Sequence, residues 1–396
     1  MSGYLEILRS PAGRMIVISG VARLGWGVVG LALIVHVQQA ADSYAAAGLA
    51  TGAYGIGSGL LAPLRGVVID RAGAPALLAM GIAEGAILLV IAFTAPAGPG
   101  ALSYVLLAAL AGVVPPPFTA WTRAGLGARL DGAVLRGAYT VDNVLEEAAF
   151  VLGPLVAGVV IGLASPAAAL VVAAALVIGG VLGLTVPRSV AAWAPPARRR
   201  ESASRRSLNR PLLLAIVSLG GLGAGVGLVE VAVVAFSQAE GSQASAGLIL
   251  GALSAGGVVG ALVYGARNWR SSIVRRYTGL LVAMGAGFAA LSLPGSIAGM
   301  VGLIAVVGLA FTPIFVTNSL LIERFSPDGP TTAAFTGVTA AMNGGVAIGA
   351  AVGGGVVDGG DVAAAFLLAG GAVWLGALVA AALPAAPVAE GGVRGT

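Results

Sequence analysis

Polar positions are sparse along this chain and recur at wide, regular intervals. Between them lie apolar runs of about 20 residues, the length a helix needs to cross a hydrocarbon core of about 30 Å. The runs predict twelve helices, at residues 15–37, 45–68, 74–94, 101–121, 141–162, 166–186, 211–237, 245–266, 273–293, 296–322, 332–357 and 362–383. The ninth is short and opens beside Arg275 and Arg276. Backbone in lipid must bond to itself, so the spans are expected to be helices. The short alternating strands of a membrane barrel are absent from the pattern.

One long stretch is neither apolar nor glycine-rich. Residues 187–210 read PRSVAAWAPPARRRESASRRSLNR and set Arg188, Arg198, Arg199, Arg200, Arg205, Arg206 and Arg210 against a single acid, Glu201. The stretch lies near the middle of the 396 residues. The expected organisation is a six-helix bundle over 1–186, a basic linker over 187–210 and a second six-helix bundle over 211–396. Two such bundles suit rocking about a site near the middle of the bilayer.

Composition agrees with an all-α membrane protein. Hydrophobic residues make up 58% and charged residues 9%, with a mean hydropathy of +1.00. A soluble domain carries about 25% charged residues. The net charge of +5 would suggest nucleic acid for a soluble protein. Here lysine is absent and the arginines mostly flank apolar runs, so the charge is read as membrane orientation and no nucleic-acid partner is expected. With no cysteine and only His36 among histidines, disulfides, thiolate metal sites and multi-histidine metal sites are excluded, and no cofactor is expected. The N-terminus shows no signal-peptide cleavage pattern.

The arginines also predict topology. Arg65, Arg71, Arg123, Arg129, Arg136, the linker, Arg267, Arg270, Arg275, Arg276, Arg324 and Arg394 would all face one side. The loops of the other side contain no arginine but hold Asp42, Glu240, Asp358 and Asp361. By the positive-inside rule both termini are cytoplasmic, in what is expected to be a bacterial plasma membrane.

Glycine numbers 63. Gly48, Gly52, Gly55 and Gly59 recur in the second span, and Gly247, Gly251, Gly256 and Gly260 in the eighth. Gly345, Gly349 and Gly353 recur in the eleventh, and Gly153, Gly158 and Gly162, with Pro154, in the fifth. Spacings near four place small residues on one helix face, where backbones approach closely. That pattern serves either plain tight packing or surfaces that slide where the bundles meet.

Between the second and third spans the chain reads Gly66-Val-Val-Ile-Asp70-Arg71-Ala-Gly73. It resembles the G-x-x-x-D-[RK]-x-G signature of the major facilitator superfamily. The resemblance implies that Asp70 and Arg71, framed by Gly66 and Gly73, latch the two halves on the cytoplasmic side. The usual second basic run is missing, since Ala74 and Pro75 follow. The stretch around Gly153, Pro154 and Gly158 is similar to the Gly-Pro motif of the superfamily's antiporters, with Ala149 and Ala157 where glycine is common. The whole pattern resembles bacterial drug- and metabolite-efflux members. The fourth span lacks the arginine motif of many drug–proton antiporters.

Ionisable groups inside a span cost about 3 kcal/mol on insertion scales and mark a pathway unless shown otherwise. Arg23 in the first span and Glu146 and Glu147 in the fifth lie at comparable depth, so Arg23 is expected to pair with one glutamate. Neighbouring helix positions point about 100° apart, so both cannot face it. Glu147 shares a face with Asn143, Phe150 and Pro154, and Glu146 with Asp142 and Gly153. Such a pair either fixes helix packing or forms a site that loads and releases a proton. Glu230 is a further candidate for the cavity. Glu84, Asn318 and Asn343 are read first as bonds between helices, with Asn343 kept as a possible pathway residue. Thr312-Pro313 and Pro115–Pro117 should kink their helices.

The expectation is a secondary transporter that moves a small molecule by alternating access, with protons entering as the molecule leaves. Proton-coupled uptake, or a non-transporting scaffold or sensor with the same fold, are the competitors. An enzyme is not expected.

Overall fold

The computed structural model describes residues 10–94, 100–195, 209–267, 269–325 and 332–384. Residues 196–208 of the basic linker and Arg394 lie outside them. Among the described residues the chain is helical and contains no strand. Side-chain caps set many helix starts. Ser10, Ser43, Ser165, Asn209, Ser272, Ser296 and Asp361 each accept a backbone N–H from the first turn of the helix that follows.

The first span is α1 (Pro11–Ala41). The second is broken into α2 (Tyr44–Leu60) and α3 (Ala62–Ala72), bent by 52°. Helix α4 (Ala74–Phe93) follows. The fourth span is interrupted by Pro115, Pro116 and Pro117 into α5 (Ala101–Val113) and α6 (Phe118–Gly127). Helices α7 (Gly132–Leu163) and α8 (Pro166–Thr185) precede α9 (Arg188–Ala191), a single turn at the start of the linker. The second set is α10 (Arg210–Ala239), α11 (Ser245–Gly265), α12 (Ile273–Ala290), α13 (Ile297–Gly308), α14 (Phe311–Phe325), α15 (Thr332–Asp358) and α16 (Val362–Ala381). Helices α13 and α14 share the tenth span, with the break just before Pro313.

Among the described residues ten spans are long and apolar enough to cross a membrane, and eleven if the bent pair counts as one span. The remaining predicted position is α12, whose 18 residues include Arg275 and Arg276 in the first turn. Helix α7 corrects a boundary. It starts at Gly132 rather than near residue 141, because its polar first turns hide it from a hydropathy reading.

Packing repeats between the two sets. Helix α1 lies against α7 and α8, α4 against α8, and α2 against α5. In the second set α10 lies against α15 and α16, α12 against α16, and α11 against α13. Across the sets α2 meets α15 and α7 meets α11. These four are the helices with the glycine spacing, but the glycines divide their work. Gly48 and Gly52 face Ala350 and Ala347, and Gly158 and Gly247 face each other. A methyl group on Gly247 would sit 2.2 Å from the Pro154 carbonyl oxygen. Gly256 and Gly260 face α13 instead, and Gly345, Gly349 and Gly353 face α10. On α15, Gly354 lies against α2, at the Tyr44 carbonyl.

Candidate functional site

Four ionised side chains converge on the inner face of the first set. After its three prolines the chain restarts as α6, with Phe118 and Trp121 buried in an apolar cluster with Met15, Ala22 and Val177. That burial turns Thr119 and Arg123, one turn apart, toward α7. On α7, Asp142, Glu146, Ala149 and Gly153 form one stripe directed at α1, and Gly153 packs on Gly27.

Arg23 is held in place by its own helix. Its Nη2 donates to Ser19 Oγ at 3.0 Å and its Nε to the Ser19 carbonyl at 3.3 Å. The guanidinium bonds the carboxylate of Asp142 and lies 3.6 Å from Glu146 Oε2. Arg123 closes the ring. Its Nε donates to Asp142 Oδ2 at 2.9 Å, and its Nη2 to Glu146 Oε2 at 2.7 Å and to Asn143 Oδ1 at 2.6 Å. Thr119 donates to Glu146 Oε1 at 2.9 Å.

Two guanidinium and two carboxylate groups thus balance. One end is dry, with the side chains of Arg23 and Asp142 2% and 0% exposed. The other end is open, with Arg123 and Glu146 38% and 25% exposed. Removing one partner of a buried pair costs about 3–5 kcal/mol. The dry end is therefore fixed, while the open end can exchange partners with a charged or hydrogen-bonding guest.

The expected partner of Arg23 is corrected in part. Glu146 is in reach, but Asp142 is the direct ligand of the guanidinium. Glu147 is exposed on the other face, with Asn143 and Phe150. Glu230 on α10 is half-buried and has no hydrogen bond or ion pair among the described residues. Asn343 on α15 lies over Gly59, where an added Cβ would stand 3.0 Å from its Nδ2. Asn318 does bridge helices, through the Ala215 carbonyl at 2.9 Å and the Tyr277 hydroxyl at 3.1 Å.

Asp70 and Arg71 are exposed and make no hydrogen bond or ion pair among the described residues, so the implied latch has no partner there. Gly73 ends α3 with φ 62°, a conformation that explains the glycine, and its N–H bonds the Ile69 carbonyl at 2.8 Å. Gly66 borders open space.

A different latch is closed. Asp358, the last residue of α15, accepts from Ser43 Oγ at 2.8 Å, Tyr44 N at 2.7 Å and Ala45 N at 2.9 Å. Gln39 donates to Gln243 at 2.6 Å, and the Tyr44 hydroxyl bonds Gln238. These five hydrogen bonds join the two sets at the arginine-poor end.

An all-helical fold of two matched sets that cross at small-residue faces, with a balanced charge cluster inside the first set, fits a membrane transporter. The sequence profile of the Major Facilitator Superfamily matches residues 15–336, and the chain belongs to that superfamily. It is a multi-pass membrane protein that acts on a small molecule as a secondary transporter. No curated protein matches it. Among solved structures, the nucleoside transporter NupG is similar at 17% identity and a TM-score of 0.75, over 94% of this chain and 98% of that one. A POT family transporter in complex with a thioalcohol-conjugated peptide is similar at 11% identity and a TM-score of 0.70, over 93% of this chain and 94% of that one.

Proposed function

We propose that this chain exports a small polar or cationic molecule in exchange for protons. Residues 1–186 and 211–396 would be the two moving units, and 187–210 the link between them. The arginine-rich end is taken as cytoplasmic by the positive-inside rule. On that assignment the outer side is held through Asp358, while Asp70 and Arg71 have no partner among the described residues, an asymmetry that supports reading the conformation as inward-facing. That asymmetry of latches carries the reading. The half-open Arg123–Glu146 pair supplies a place for a guest to compete for hydrogen bonds, with Asn143, Glu147, Glu230 and Asn343 as further pathway positions.

The test is transport into and out of proteoliposomes with an imposed pH gradient, using a panel of cationic dyes, nucleosides and small peptides. Export is supported by accumulation of a compound against its gradient, driven by counterflow of protons. Accumulation with proton co-flow converts the reading to uptake. Absence of movement for every compound, with Glu146→Gln silent in cells, leaves the non-transporting scaffold.

A further inference from the structure

Glu84 is an acid inside the first helix set that the charge ring does not use. It sits in the middle of α4 and has no exposed surface. Tyr54 of α2 donates its hydroxyl to Oε1 at 2.8 Å. Oε2 has no hydrogen-bond partner, and neither has the buried indole Nε1 of Trp26. Trp26 and Arg65 are neighbours of this carboxyl group.

Arg65 is committed elsewhere. It donates to the carbonyls of Gly57 at 3.4 Å, Ser58 at 2.5 Å, Gly112 at 3.2 Å and Val113 at 3.3 Å. It therefore caps the ends of α2 and α5, where a positive charge is favoured. No ion pair joins it to Glu84 within 4.0 Å. The other neighbours of α4 bring little charge. Helix α8 has no ionisable side chain. On α5, Tyr104 donates to the Thr94 carbonyl at 3.2 Å, at the far end of α4. On α1, His36 bonds the Ile91 carbonyl at 2.9 Å, two turns away.

The contrast with the ring decides what each acid can do. A proton added to Asp142 or Glu146 would leave a guanidinium uncompensated. A proton added to Glu84 breaks no ion pair and removes a charge from a buried site, where it is costly. We propose that Glu84, with Tyr54 and Trp26 beside it, is a proton-binding site separate from the Arg23–Asp142 ring. The proposal rests on the proton-coupled reading and names its carrier.

The surroundings connect this carboxyl group to the moving parts. Trp26 packs on Phe118 with ring centroids 5.3 Å apart, and Phe118 precedes Thr119, which holds Glu146. Tyr54 lies on α2 between Gly52 and Gly55, which face Ala347 and Asn343 of α15. A proton on Glu84 rearranges the one hydrogen bond that ties α2 to this carboxyl group, and α2 carries the crossing between the sets.

The test needs no substrate. The full chain in lipid nanodiscs is titrated with pH and followed by infrared difference spectroscopy. A carbonyl band of a protonated carboxyl group out of water is expected in the wild type. It should vanish in Glu84→Gln and persist in Glu147→Gln and Glu230→Gln. Tyr54→Phe should move both its frequency and its midpoint, which decides the matter if Glu84→Gln does not fold. Survival of the band in Glu84→Gln, or a Tyr54→Phe spectrum identical to wild type, overturns the proposal. A band assigned to Glu84 in a protein that moves no compound would instead count against the transport reading.

Discussion

The carboxylate of Asp358 accepts the backbone N–H of Tyr44 at 2.7 Å, so the last residue of α15 caps the first turn of α2. A helix start in one set is thereby completed by an acid from the other. Ser43 Oγ and Ala45 N add to the same carboxylate. Hydrogen bonds to a charged group contribute about 1.5–3 kcal/mol when shielded from water. At this exposed end solvent screening leaves no more than about 1 kcal/mol, a severalfold change in a two-state population.

Asp358→Asn should therefore shift the chain toward a state open at the arginine-poor end. The chain has no cysteine, so spin labels on Ala41→Cys and Glu240→Cys report that end alone. The expected result is a longer distance population that grows severalfold in the variant. An unchanged distribution would show that small-residue packing alone holds this end shut.

The charge ring should be graded in stability. Arg23→Gln leaves Asp142 with one guanidinium in a dry site and should lower stability by about 3–5 kcal/mol. Arg123→Gln acts at the exposed end and should cost clearly less. Melting temperatures of the purified variants in one detergent give the order. Combining Arg23→Leu with Asp142→Leu should cost less than the sum of the single changes, since neither charge is then left alone.

Gly247→Val places a side chain against the Pro154 carbonyl and the Gly158 Cα. Backbone there cannot yield cheaply, so α7 and α11 should separate. The same label pair should report opening, or the protein should lose yield. Gly302→Ala is the control. An added Cβ on Gly302 meets nothing within 4 Å, and alanine favours the helix by up to about 1 kcal/mol.

Arg65→Gln should loosen the bend between α2 and α3. The variant loses the positive charge that gathers carbonyls from α2 and α5. Hydrogen exchange of α3 amides should quicken by at least tenfold, with α8 unchanged. Equal exchange in both proteins would mean the bend is fixed by Pro63 and packing alone.

Much of the chain could be read without coordinates. Apolar run length gave the spans, because a bilayer of fixed thickness imposes a length on each helix. Prolines marked the breaks at 114–117 and before Pro313, because a ring nitrogen has no hydrogen to donate. Arginine bias separated the two ends. The i,i+4 pairs Asp142–Glu146 and Thr119–Arg123 are also visible in the sequence, but Arg123 lies past the predicted end of the fourth span at residue 121, where it reads as a loop charge, and Asp142 reads only as sharing a face with Glu146.

What the sequence determined by itself was whatever depends on distance along one helix: span, end, kink, and which residues share a face. The rotation of each helix about its axis was decided only by packing. That rotation put Asp142 rather than Glu147 on Arg23, turned Gly345 and Gly349 toward α10, and set Glu84 between Tyr54 and Trp26. The physical reason is that a helix with apolar residues all round carries no hydrophobic face to aim it. In lipid its orientation is set by close backbone contact at small residues and by the few charges that must find partners, and both depend on neighbours distant in the chain.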